Sequence, residues 1–205
     1  MTHNGIELQS MTYNGQEVNS WVHNGVEVFT AEREIYRATL GYVITTGGDV
    51  QNNIPKEVTE VTFIDTDYIT DTEGIAYVDS ISTTVSDVHD YGTIGTPTSK
   101  ALSRYKYAKI YYEVALSIYR TSSEDYGHKA RCSLNGNQIA YISKESYPDS
   151  NKDYPLTEGI MTIPIEKLNS TAVLFAYSKS RRQGDQIYAG IGVTKIVLTN
   201  KEPTE

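Results

Sequence analysis

Cysteine is nearly absent: Cys132 is the only one in 205 residues. No disulfide within the chain is available, so stability is expected from packing, hydrogen bonding or oligomerisation, and the chain is not built for an oxidising export route. Long apolar runs are lacking too. Nothing approaches the roughly 18 apolar residues that a membrane helix needs, and residues 1–30 hold no basic segment followed by an apolar one. Neither a membrane span nor a signal peptide is expected. Positive charge is short: 18 Lys and Arg face 26 Asp and Glu, a formal net charge of −8 spread along the chain, which disfavours nucleic acid as a partner. Catalytic signatures are missing as well. There is no Gly-x-Ser-x-Gly elbow, phosphate-binding glycine loop or dinucleotide fingerprint. His3, His23, His89 and His128 lack the spacing of a helical zinc site. No enzymatic activity and no cofactor are expected.

What the amino terminus does have is a repeat. In blocks of ten it reads MTHNGIELQS, MTYNGQEVNS and WVHNGVEVFT, with Asn-Gly at 4–5, 14–15 and 24–25. Asn-Gly between alternating residues is a strong hairpin signal, because a type I′ turn needs positive φ at both central positions. The simplest expectation is a three-stranded meander over residues 1–30. Two-residue turns would set Leu8 opposite Trp21 and Trp21 opposite Val28, with Ile6, His23 and Val26 in a second row of the same face. A sheet that small needs a partner. The face formed by Leu8, Trp21, His23 and Val28 is therefore the expected assembly contact, the alternative being that it closes the protein's own core.

The remainder reads as strands. Tyr36, Ala38, Leu40, Tyr42 and Ile44 alternate until Gly47-Gly48 ends the run. Short strands are expected at 58–64 and 75–78, a loop over 86–100, and a long strand from Ser103, with Ala108, Ile110, Tyr112, Val114, Leu116 and Ile118 on one face. Leu134-Asn135-Gly136-Asn137 predicts a hairpin that pairs Cys132 with Ile139 and Ala130 with Tyr141, making the cysteine a core residue. Val173, Phe175 and Tyr177 alternate with Leu174 and Ala176, which predicts a central strand apolar on both faces. At most one short helical turn fits, near Glu166–Asn169, and a last strand covers about 186–198. This pattern predicts an all-β protein, with the repeat meander followed by an antiparallel β-sandwich of jelly-roll type over 31–199 and a polar tail at 200–205.

Tyrosine is the conspicuous surplus, with 17 copies beside 3 phenylalanines. Its ring stacks on sugars or proteins while its hydroxyl stays hydrated, which makes it an interface residue as well as a good strand former. Tyr105, Tyr107 and Tyr111 share one face of the long strand, and Tyr147 and Tyr154 flank the loop SYPDSNKDYP; these five are the expected glycan or partner contacts. Asp65, Asp67 and Asp71, with Glu73 nearby, offer oxygen ligands for calcium but lack the EF-hand pattern, so solvated turn carboxylates are the alternative. Ser180-Arg181-Arg182-Gln183-Gly184-Asp185 places two arginines in a turn, where an anion could be held.

The segment NGIELQSMTYNGQEVNSWVHNGVEVF resembles the tandem Asn-Gly-x-Glu-Val segments of structural proteins of tailed bacteriophages and prophages, tail and fibre-associated ones especially. From Ile35 to Leu198 the pattern is similar to the carbohydrate-binding jelly rolls appended to such proteins, with no motif that carries ligand residues over. The resemblance implies a non-enzymatic virion component of the tail or another exposed appendage, assembled in the host cytoplasm. Its partners would be other virion proteins, further copies of itself, a trimer being one form, and a host-surface glycan. The alternative is a bacterial cell-surface carbohydrate-binding module or adhesin, placed on the extracellular surface.

Overall fold

The computed structural model describes residues 2–3, 6–7, 12–14, 16–18, 20–24, 26–47, 50–70, 77–119, 127–143, 152–169 and 174–201. Each of the three repeat copies pairs two short antiparallel strands that flank its Asn-Gly in sequence: β1 (Thr2–His3) with β2 (Ile6–Glu7), β3 (Thr12–Tyr13) with β4 (Gln16–Glu17), and β5 (Ser20–His23) with β6 (Val26–Thr30). Asn14 and Asn24 both have φ of 51°, the left-handed conformation that the turn chemistry demands. The hairpins are separate two-stranded sheets, and among the described residues no ladder joins them. That corrects the three-stranded meander. Among the described residues the strand at Ser20–His23 is paired with Val26–Thr30 alone. A bulge between Trp21 and Val22 also shifts the register, so Trp21 faces Phe29 rather than Val28.

The strands that follow are β7 (Glu32–Gly47), β8 (Val50–Phe63), β9 (Ile69–Thr70), β10 (Tyr77–Ser82), β11 (Ser86–Gly92), β12 (Thr96–Pro97), β13 (Tyr107–Tyr119), β14 (Lys129–Leu134), β15 (Asn137–Ser143), β16 (Lys152–Pro164), β17 (Leu174–Ser180) and β18 (Gln186–Thr199). One sheet runs β10-β18-β13-β16 and the other β11-β17-β14-β15, all neighbours antiparallel. Numbered in chain order, these eight strands pair as 1-8-3-6 and 2-7-4-5, which is jelly-roll connectivity. The hairpin β7-β8 extends the first sheet: Glu32–Arg37 pairs with Lys195–Thr199 on the edge of β18 that β10 occupies further along.

The core lies between the two sheets. Ala108, Ile110, Val114 and Leu116 of β13, with Ile187, Ala189, Ile191 and Val193 of β18, face Ala130, Cys132, Leu134, Ile142, Leu174 and Ala176, all fully or nearly fully buried. Full burial of each large aliphatic side chain stabilises the fold by about 1.5–3 kcal/mol. Serines stitch the sheets at one edge. Ser80 Oγ lies 2.7 Å from Ser178 Oγ and donates to the Val88 carbonyl, and the Ser180 N–H donates to Ser82 Oγ at 3.1 Å.

Three local expectations fail for identifiable reasons. Residues 86–100 hold β11, β12 and the start of helix α1 (Ser99–Arg104) rather than a loop. Thr98 caps that helix, its Oγ1 accepting the Ala101 N–H, while Ala101 is fully buried. Serines and threonines read as loop because capping and turn chemistry use the same residues. The long strand therefore begins at Tyr107. Tyr105 is the helix C-cap; its ring is buried edge-on against Tyr68 at 5.8 Å. In the β14-β15 hairpin, Asn135 and Gly136 adopt φ of 50° and 77° as the turn requires, but a bulge at Cys132/Ser133 shifts the ladder, so Cys132 pairs with Ala140 and Ala130 with Ile142. The 3-10 turn at Ile165–Asn169 and the fully buried cysteine agree with the sequence reading.

Burial ties stability to pH on the alkaline side. Tyr36, Tyr77, Tyr188 and the Cys132 thiol all have their pKa pushed up, chiefly by burial. Tyr77 and Tyr188 also share a hydrogen bond, Oη to Oη at 2.8 Å. The neutral forms are the ones the fold accommodates, so this contribution is complete below the ordinary thiol and phenol pKa values, about 8.5 and 10, and is lost as pH rises beyond them. Urea-denaturation midpoints are expected to stay level from neutrality to about pH 8 and to fall steadily above about pH 9. Tyrosinate absorbance should show one set of tyrosines ionising while the protein is folded and a second only as it unfolds. A single titration of every tyrosine without unfolding contradicts this.

Candidate functional site

The outer face of the β11-β17-β14-β15 sheet carries an organised group of side chains, exposed on β11 and mostly half-buried across the sheet. Strand pairing lays them out in three rows: Tyr91, Phe175, Ser133 and Gln138; then His89, Tyr177, Arg131 and Tyr141; then Asp87, Lys179, Lys129 and Ser143. Alternation produces the arrangement, since Leu174, Ala176 and Ser178 point into the core and leave Phe175, Tyr177 and Lys179 half-buried on the outside. The rings form a continuous path. His89 meets Tyr91 edge-on at 5.4 Å, Tyr91 lies 4.9 Å from Phe175, and Phe175 stacks with Tyr177 at 6.4 Å with only 12° between planes.

Arg131 lies over that path. Its guanidinium carbon is 5.0 Å from the Phe175 centroid and 5.5 Å from that of Tyr177, where the negative ring faces attract it. Arg131 Nε is buried without a hydrogen-bond partner. Beside it opens a groove of about 460 Å³ lined by Lys129, Arg131, Gln138, Tyr141 and Tyr177. Its lining contains two cations and no carboxylate. The Tyr177 hydroxyl is held above its ordinary pKa by burial first and by Asp87 second, with Arg131 and Arg181 opposing; it is a hydrogen-bonding phenol at neutral pH. Rings, amide, hydroxyls and cations are a binding surface for stacking and anion contact.

Neither a family model nor a curated protein matches the chain. Among solved structures, it is similar to a chain of the Nora virus structure at 9% identity and a TM-score of 0.26, covering 63% of this chain and 58% of that one. It is also similar to dimeric latent PorU from Porphyromonas gingivalis at 11% identity and a TM-score of 0.23, covering 82% of this chain and 12% of that one.

The residues expected from sequence to form sites are dispersed. Tyr105 is buried and unavailable as a contact. Tyr107 and Tyr111 are half-buried on the outer face of the other sheet, on the opposite side of the sandwich from the groove. There Tyr111 has the Lys195 ammonium 3.8 Å from its ring centroid and exposed Ile160 opposite it in the ladder. Tyr147 lies outside the described residues, as does the side chain of Tyr154. In the repeat, Trp21 is 40% exposed, while Leu8 and the side chains of His23 and Val28 lie outside the described residues. Of the calcium candidates, Asp65 is paired with Arg33 at 2.6 Å and Asp67 with Lys100, cations that also lie over the Tyr68 ring; Asp71 is outside the described residues. Among the described residues no three His, Cys, Asp or Glu side chains gather as a metal site, and no helix is long and apolar enough to cross a membrane.

His128 and Asp185 form a buried pair, Nε2 to Oδ2 at 2.9 Å with the side chains 2% and 0% exposed. His128 Nδ1 also accepts the Arg181 N–H at 3.2 Å. The Arg181-Arg182 turn is thus anchored from below, with Arg181 exposed and Arg182 half-buried. Pattern reading missed the groove because Phe175 and Tyr177 look like core residues beside Leu174 and Ala176. The available signal was polar Lys179 and Arg131 in phase with those rings.

Proposed function

We propose that this protein is a non-enzymatic structural component of a tailed-phage virion, placed on the tail, a fibre or another exposed appendage, whose jelly roll contacts host-surface glycan or neighbouring subunits. The observation that carries this reading is the ring-and-arginine path on the outer face of one sheet of the sandwich, a surface equipped for contact. Tandem repeat hairpins with an exposed Trp21 support attachment to other virion proteins or to further copies of the chain, since two-stranded sheets are marginal without a partner. Light scattering on a sizing column is expected to report a homo-oligomer, and mass spectrometry of purified particles to find the chain. A strict monomer that neither joins particles nor binds cell-wall sugar sinks the proposal.

The groove also favours a second reading, a bacterial cell-surface carbohydrate-binding module or adhesin. The two separate cleanly by location: this reading expects the chain on bacterial cell envelopes and absent from particles.

A further inference from the structure

We infer that the groove beside Arg131 binds an acidic saccharide, a pyranose ring bearing a carboxylate. This rests on the glycan-contact part of the proposed function and names its ligand class. Three features of the groove combine. Tyr177 and Tyr141 flank Arg131 on adjacent strands, which gives flat surfaces for a sugar ring and hydroxyls for its oxygens. The Arg131 guanidinium is held by the Phe175 and Tyr177 rings and so is pre-oriented, with its planar donors available for a carboxylate. The groove beside it, about 460 Å³, has room for a sugar ring.

Charge selects the ligand further. In a chain of net charge −8, the groove lining holds Lys129 and Arg131 and no acid. Among the described residues neither cation is in an ion pair. A neutral sugar would leave both cations unanswered. A carboxylate beside the stacked ring answers Arg131 directly, with Lys129 two positions away on the same strand face.

The test is isothermal titration of the full chain with oligogalacturonate and sialyllactose as carboxylate probes, cello-oligosaccharide as the neutral probe, and glycerol-phosphate teichoic acid as the phosphate probe. Carboxylate probes are expected to bind at least tenfold more tightly than the neutral one, with an affinity that falls as salt rises. Arg131→Gln is expected to weaken carboxylate binding about tenfold or more, the size of a lost charged hydrogen bond. Arg131→Lys should recover only part of the affinity. Lys129→Gln, at an exposed position that folding does not depend on, should weaken it by a smaller factor and serves if an Arg131 variant does not fold. Equal binding of neutral and carboxylate probes, unchanged affinity in folded Arg131→Gln, or preference for teichoic acid overturns the inference while glycan contact stands. Failure of every probe overturns both.

Discussion

Asp185→Ala is expected to lower the free energy of unfolding by about 1–3 kcal/mol, the cost of leaving a buried neutral donor without its acceptor. The Asp185 carboxylate and His128 imidazole are sealed from solvent 2.9 Å apart. The Arg181 N–H needs a lone pair on His128 Nδ1, so the proton resides on Nε2, the nitrogen 2.9 Å from Asp185 Oδ2. Removal of the carboxylate orphans that N–H in a dry environment and unpins the turn between β17 and β18. A loss of this size corresponds to a melting temperature lower by about 5 °C. His128→Ala should cost a comparable amount, because it orphans Asp185 and the Arg181 N–H together. Asp185→Asn, whose amide oxygen still accepts, should cost much less. Urea denaturation of the three variants checks the ordering; a loss below about 1 kcal/mol in Asp185→Ala rules out the role given to the pair.

Gly190→Ala is expected to destabilise by about 1–3 kcal/mol through overpacking, with about 1 kcal/mol more for the hydrogen bond that it breaks. A Cβ at this position would be 2.1 Å from Tyr188 Oη and 2.8 Å from its Cζ, because the Tyr188 ring folds back over the glycine. The ring has little freedom to move away: it is buried and bonded to Tyr77. The substitution should therefore couple to Tyr188. In a double-mutant cycle with Tyr188→Leu, Gly190→Ala should cost clearly less than it does alone. Additive losses would show that Tyr188 is not what excludes the methyl group.

The sequence was most readable where one local signal decides the structure. Asn-Gly marked the three strand pairs of the repeat and the hairpin at Asn135-Gly136, and alternation over 108–118 marked the long strand and its core face. Parity misled where an element ended inside the run. Tyr105 shares odd parity with Tyr107, but it is the C-cap of the helix and precedes the strand, so the alternation does not reach it and its ring turns inward. Bulges at Trp21/Val22 and Cys132/Ser133 moved predicted partners by one residue, and no residue at either place advertises the shift. The groove was harder still. Arg131 and Tyr177 are 46 positions apart in the sequence and meet only because β14 pairs with β17. Likewise, nothing near His128 points to Asp185.

The place of β18 in the sandwich has a consequence for synthesis. This strand hydrogen-bonds β13 along one edge and both β10 and β7 along the other, yet it is the last of the sandwich strands to leave the ribosome. Until it emerges, β13, β10 and β7 each have an unpaired edge and the core lacks Ile187, Ala189, Ile191, Val193, Ile196 and Leu198, so the sandwich cannot close progressively from its amino end. Long-range pairing of this kind slows folding and prolongs exposure of sticky edges. Yield of correctly folded protein should therefore depend on how quickly translation finishes residues 186–199 and on the chaperones that hold the chain until then.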